Sequence, residues 1–362
     1  MIKIVGQKYV AIMGIKYMSP AKGFKAMSGH FRRMTLFLVV LPFQLIVAQI
    51  GESPEKILSG LDSYNIVSIE DGAYTGPGGF SFAFVVRSGL LYSVSGRGSL
   101  GDESIPFASD LLAEATGYGN NVSGVLIDFF RNRVGELQGQ GLVTLGLEAY
   151  HLHIEVEANP EGEVRIDFTL NLQEVDWSGF SPSSYPLGPV GARYVIREFS
   201  DFQCPYCADF ARLALPAIKE QLLQRGDVRF EFHHFPLKSI HLNAAPAAIA
   251  SECVGETYGS PGFWSFHDAL FDSQAEWSDS TVPGMIFTTL AEEVGLGGEE
   301  VTKCIVEGKF APTVEAAYQA AGELGIRGTP TVFVGGFRVQ NFRDVEAYLG
   351  LFALVDAFEF EE

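Results

Sequence analysis

Ten residues constrain this chain more than any others: Glu198-Phe199-Ser200-Asp201-Phe202-Gln203-Cys204-Pro205-Tyr206-Cys207. An apolar run of β type, Tyr194-Val195-Ile196, leads into them. An amphipathic helical pattern leads out, with Phe210, Leu213, Leu215, Ile218 and Leu222 at its apolar positions. The two cysteines therefore stand where a strand hands over to a helix N-terminus. Orphan N–H groups and the positive end of the helix dipole favour an anion there, which stabilises a thiolate at Cys204. Cys207, one turn on, is close enough to close a small ring. An easily ionised thiol beside a resolving thiol suits disulfide exchange. A zinc knuckle is the competing reading, but zinc needs about four ligands. Cys253 and Cys304 lie far apart and neither belongs to a second Cys-x-x-Cys.

The chain has 362 residues, enough for two domains with sizeable cores. Its formal charge of −19 is unevenly spread: residues 1–48 carry seven basic residues and no acid. The remainder holds 18 basic against 44 acidic residues, a charge of −26, which excludes nucleic acid and anionic membrane surfaces as partners. Arg32-Arg33, the apolar run Met34 to Ala48 and the polar stretch from Gln49 follow the order of a secretory signal peptide. The signal is assigned to 1–48, with cleavage after Ile46-Val47-Ala48 and an uncleaved anchor as the alternative. Met27 would itself begin a compact signal, so the chain starts earlier than export requires. A periplasmic or other extracytoplasmic address also accounts for the cysteines, since oxidised pairs persist there.

Residues 49–176 contain no cysteine and read as a separate α+β domain with a sheet of four or more strands. Phe80 to Val86 and Leu91 to Val94 are predicted strands, and Ile105 to Thr116 and Val122 to Leu137 predicted helices. Tyr150, Leu152, Ile154 and Val156 alternate with polar residues, as do Val164, Ile166, Phe168, Leu170 and Leu172 after the Asn159-Pro160-Glu161-Gly162 turn. That is a hairpin covered on one face. His151 and His153 share the polar face without an identifiable third ligand and are read as solvated surface rather than a metal site. Residues 177–192, rich in Ser, Pro and Gly, read as a linker.

The second domain, 193–362, is a predicted α/β unit with a helical insertion. After a strand at Val228 to Phe235 come helices at His241 to Val254, Phe263 to Phe271, Met285 to Val294, Val301 to Val306 and Val314 to Leu324. Pro216 is expected to kink the first helix. The aromatic segment 263–271 is read as core, and His233, His234 and His241 as packing or hydrogen-bonding residues. Pro330, immediately before the apolar run Thr331 to Val334, is awkward as a ladder residue and fits a cis Thr329–Pro330 bond at the strand's entrance. A closing helix covers Val345 to Val355.

Cys204-Pro205-Tyr206-Cys207 at a strand–helix junction, with Gly328-Thr329-Pro330-Thr331 before a late strand, resembles the thioredoxin fold. The insertion between Phe235 and Val314 resembles the DsbA-like branch of exported thiol–disulfide oxidoreductases. The likeness covers residues 192–358. It implies that Cys204 is the exposed nucleophile, that Cys207 is the buried resolving thiol, and that Thr329 and Pro330 receive a substrate strand. It also makes Glu198 a buried acid assisting proton movement. No cofactor is implied beyond the redox-active pair itself. Partners are cysteine-containing exported proteins and a membrane redox partner, with homodimerisation an analogy to the isomerase branch. Tyr206 replaces the histidine of DsbA, which implies a less oxidising pair. Cys253 and Cys304 either pair or stay as buried thiols, and the family resemblance favours a structural bridge. Isomerase or reductase activity, and a client-binding chaperone with regulatory cysteines, are the alternatives.

Overall fold

The computed structural model describes residues 10–11, 53–69, 72–87, 89–147 and 149–359. Apart from residues 10–11, the expected export signal lies outside them. The chain divides into two compact units, the first built mainly from Glu55–Val85 and Ser93–Asn171, the second mainly from Leu172–Glu362.

The first unit carries β1 (Val10–Ala11), β2 (Val67–Ser68), β3 (Ala73–Thr75), β4 (Ser81–Arg87), β5 (Leu90–Ser99), β6 (Val143–Leu147), β7 (Tyr150–Ala158) and β8 (Val164–Leu172). They form one sheet in the order β1-β6-β7-β8-β5-β4-β3-β2. The two helices, Ser104–Thr116 and Asn120–Asn132, follow the apolar spacing. Tyr150, Leu152, Ile154 and Val156 on β7 are buried, as are Ile166, Phe168 and Leu170 on β8. β5 is longer than the apolar run Leu91 to Val94 alone suggests, because it continues through Gly96 and Gly98. A Cβ there would lie 2.6 Å from the rings of Phe168 and Phe80 respectively, so these glycines make room for aromatic side chains laid on the sheet. His151 and His153 stand 6.0 Å apart, and His153 Nδ1 is 2.9 Å from the Thr144 hydroxyl. Among the described residues no group of three or more His, Cys, Asp or Glu is placed to hold a metal ion.

The second unit is built on β9 (Tyr194–Ser200), β10 (Val228–His234), β11 (Thr331–Val334) and β12 (Phe337–Arg338), in the order β10-β9-β11-β12. β9 and β10 are parallel, while β11 runs antiparallel to β9 and to β12. With helices around this sheet and a helical insertion between β10 and β11, the unit has the thioredoxin-like fold. The insertion comprises Ala244–Asp272, broken by non-helical Gly259 ahead of Pro261, then Pro283–Glu293, Glu299–Glu307 and Ala311–Glu323. Phe263, Phe266, Leu270 and Phe271 are buried, and Phe263 packs 5.9 Å from Phe232 of β10.

One expectation needs correction. Residues 177–192 do not form a free linker. Trp177 stacks on Phe199 at 5.9 Å and donates to the Gly335 carbonyl, Leu187 and Phe230 form a bridge, and Tyr185 stacks on Phe263. Packing three half-buried aromatic or apolar anchors against the core outweighs the flexibility that the composition suggests. Pro216 is expected to kink the first helix, and the helix is irregular around it without ending there. The helix begins at Pro205–Asp209 and widens into π turns at Phe210–Ala214 and Ile218–Leu222. In the wider turn Leu215 N–H reaches back to the Phe210 carbonyl, so the ladder shifts register around the residue that lacks a donor.

Cys253 and Cys304 are joined by a disulfide between the helices Ala244–Asp272 and Glu299–Glu307, with 51 residues of sequence separation. Closing a loop of that length restricts the unfolded chain. The Cys253→Ala/Cys304→Ala protein is expected to lose about 2–4 kcal/mol of stability. Urea unfolding midpoints would read the change, and an unaltered midpoint would mean the bridge is energetically idle.

Candidate active site

β9 ends at Ser200, and the chain turns through Asp201, Phe202 and Gln203 before the helix starts at Pro205. Cys204 is the extended residue before the helix, with φ −74° and ψ 125°, and Pro205 occupies the first turn, where its missing N–H costs nothing. The Cys204 carbonyl accepts N–H groups from Cys207 and Ala208, both at 3.1 Å. The insertion braces this turn: Gln274 Nε2 donates to the carbonyls of Phe202 (2.7 Å) and Cys204 (3.0 Å). Gln203 binds the Ser278 carbonyl and the Asn243 N–H, at 2.9 and 2.8 Å.

The Thr329–Pro330 peptide bond is cis, and the Thr329 carbonyl lies 3.5 Å from Cys204 Sγ. This proximity changes one expectation. Cys204 is not an open nucleophile, since only 4% of the residue is exposed, while neighbouring Tyr206 is 63% exposed. The Thr329 backbone closes over the sulfur. Cys207 is fully buried. Both are free thiols.

The environment separates the two thiols. Cys204 is drawn down to about 6, chiefly by a hydrogen bond from the Cys207 thiol, with contributions from the Thr329 side chain and the N–H groups of Cys207 and Tyr206 outweighing burial. Cys207 is pushed well above an ordinary thiol, first by burial and then by its hydrogen bond to Cys204 and that sulfur's charge. Glu198, on the central strand between Phe232 and Val332, is fully buried, and neither of its carboxyl oxygens has a hydrogen-bond partner. Burial pushes it up to about 8, against the opposing Ser200 hydroxyl dipole and reinforced by Cys204. Its charge in turn raises Cys207. So Cys204, Cys207, Glu198, Thr329 and Pro330 converge, whereas Cys253 and Cys304 are bonded to each other instead. The arrangement offers one ionised sulfur, one proton-bearing sulfur and a buried acid that is neutral at pH 7.

Residue-level reading missed Asp201, Gln203, Asn243 and Gln274. Asp201 and Gln203 sit inside the motif, but their partners lie 36 to 75 positions away, so no local signal reveals them.

This fold and site define a DsbA-like thiol–disulfide oxidoreductase, and the chain belongs to that family through its C-terminal half. A thioredoxin family model matches residues 181–352. Disulfide bond formation protein D of Bacillus subtilis is 30% identical over 163 residues, covering 44% of this chain and 71% of that protein. A Na(+)/H(+) antiporter NhaA of Salinispora arenicola is 31% identical over 160 residues, 44% of this chain. The chain spans only 23% of that antiporter's length. Among solved structures, oxidised BdbD from Bacillus subtilis aligns at 26% identity with a TM-score of 0.43, covering 51% of this chain and 95% of that one.

Proposed function

We propose that the protein is an exported thiol–disulfide oxidoreductase that passes the Cys204–Cys207 disulfide to cysteine-containing exported proteins. The observation that carries this reading is the division of acidity between two adjacent sulfurs beside the Thr329–Pro330 bond. A client thiolate attacks Cys204 Sγ of the oxidised pair. The Cys204–Cys207 bond breaks, and Cys207 leaves with the electron pair and takes up a proton by way of Glu198. A second client thiolate then attacks the client sulfur, and Cys204 leaves as a stable thiolate. Two electrons pass to the protein and the client gains a disulfide. A membrane redox partner would reoxidise the pair. Thr329 and Pro330 line the approach to Cys204 and would receive the client backbone. Export rests on the basic and apolar segment before Gln49. No helix among the described residues is long and apolar enough to cross a membrane.

Stoichiometric oxidation of a reduced two-cysteine peptide by the oxidised protein tests this reading. Aggregation suppression that survives loss of both cysteines, with no peptide oxidation, would favour a chaperone instead. Alkylation of the reduced protein supplies a pH test. With Cys204 ionising near 6, its rate is expected to reach half its plateau near pH 6 and to be flat above pH 7.5. An ordinary thiol would still be accelerating at pH 8.5, about its midpoint.

A further inference from the structure

Asp201 is enclosed, with 1% of its surface exposed, yet each of its polar atoms is engaged. Oδ1 accepts the Gln203 N–H at 2.7 Å. Oδ2 accepts the Leu237 N–H at 2.7 Å and the His241 imidazole Nδ1 at 2.8 Å. Its backbone touches both cysteines: the carbonyl accepts the Cys204 N–H at 3.0 Å, and the N–H points at Cys207 Sγ from 3.5 Å. His241 comes from the loop after β10, which also exposes Ile240 and Leu242. One buried carboxylate thus joins that loop to the sulfur that must alternately lose and accept charge.

We infer that Asp201 and His241 are a positioning pair for the resolving cysteine, His241 acting through Asp201 to hold an N–H on the Cys207 sulfur. This rests on the thiol–disulfide reading above. In the closing step the ionised form of Glu198, a minority at pH 7, takes the Cys207 proton, and the resulting thiolate attacks Cys204 Sγ of a mixed disulfide. The Cys204–Cys207 bond forms, and the bond from Cys204 to the partner sulfur breaks. The partner leaves as a thiolate with the electron pair. Negative charge passes through Cys207 in this step and in its reverse, and the Asp201 N–H is the backbone donor at that sulfur. An N–H to sulfur contact of this length weakens steeply as the donor turns away. Without His241, Oδ2 keeps only the Leu237 N–H, and the carboxylate that fixes the turn is held by two hydrogen bonds instead of three.

The test is single-turnover reaction of the reduced protein with glutathione disulfide, resolving attack by Cys204 from closure by Cys207. His241→Leu removes the donor, whereas His241→Asn places an amide nitrogen near the position of Nδ1. His241→Ala repeats the deletion with a smaller side chain. Closure is expected to slow about fivefold more than attack in His241→Leu and His241→Ala, and to recover to within about twofold of the unaltered protein in His241→Asn. A Cys207→Ala background isolates the attack step. Equal slowing of both steps, no slowing, or failure of asparagine to rescue would overturn the inference while leaving the oxidoreductase reading intact. Absence of any glutathione adduct at Cys204 would sink both.

Discussion

Replacing Cys204 with serine is expected to lower peptide oxidation by at least about a thousandfold, to the uncatalysed background. Serine cannot form the Cys204–Cys207 disulfide, so the oxidised state that carries the two electrons' worth of driving force does not exist. A hydroxyl at the helix N-terminus also remains un-ionised where the thiol is drawn down to about 6. Cys207 cannot substitute, because it is fully buried and pushed towards the neutral thiol. Cys207→Ser has a different expected signature: Cys204 still attacks disulfides but stays trapped as a mixed disulfide visible by mass spectrometry. If Cys204→Ser retained more than about a hundredth of the rate, the nucleophile would lie elsewhere.

Glu198→Leu is expected to stabilise the protein and damage its chemistry together. The acid lies in the central strand with two unpartnered carboxyl oxygens. Its folded-state value of about 8 stands above the ordinary 4.5, so the folded protein holds a proton that the unfolded chain releases. The associated stability is fully present below pH 4.5, declines as pH rises through the window, and is lost above pH 8. Leucine removes this slope, and at pH 7 it is expected to gain about 2–4 kcal/mol. The same change deletes the carboxyl group that exchanges a proton with Cys207, and closure of the mixed disulfide is expected to slow about tenfold or more. Urea unfolding at pH 5, 7 and 8.5 reads the first effect and single-turnover kinetics the second. An unchanged pH slope would mean that Glu198 is already solvated.

The reactive pair was legible because its chemistry is local. Cys204, Pro205 and Cys207 sit within one turn, and an apolar strand and an amphipathic helix on either side fix where that turn stands. The Thr329–Pro330 pair was legible for a similar reason, since a proline directly before an apolar strand admits few conformations. Other features depend on distant packing. The low exposure of Cys204 is set by a carbonyl 125 residues away. The docking of 177–192 depends on Trp177 finding Phe199, and nothing in a Ser, Pro and Gly-rich stretch announces that. The full length of β5 was hidden by Gly96 and Gly98, which weaken a strand pattern while admitting the rings of Phe168 and Phe80. Asp201 looks like a turn residue until its partners on the far side of β10 are in place.

The equilibrium of the Cys204–Cys207 pair with glutathione tests the central claim most directly. A thiolate that forms near pH 6 stabilises the reduced state more than the thioredoxin thiol, ionising near 7, and less than that of DsbA, near about 3.5. A reduction potential between those of the two, about −270 and about −120 mV, is therefore expected, with a value near about −200 mV able to donate disulfides to exported clients. A potential at or below about −270 mV would contradict the account, because such a pair would hold its disulfide too firmly to pass it to clients.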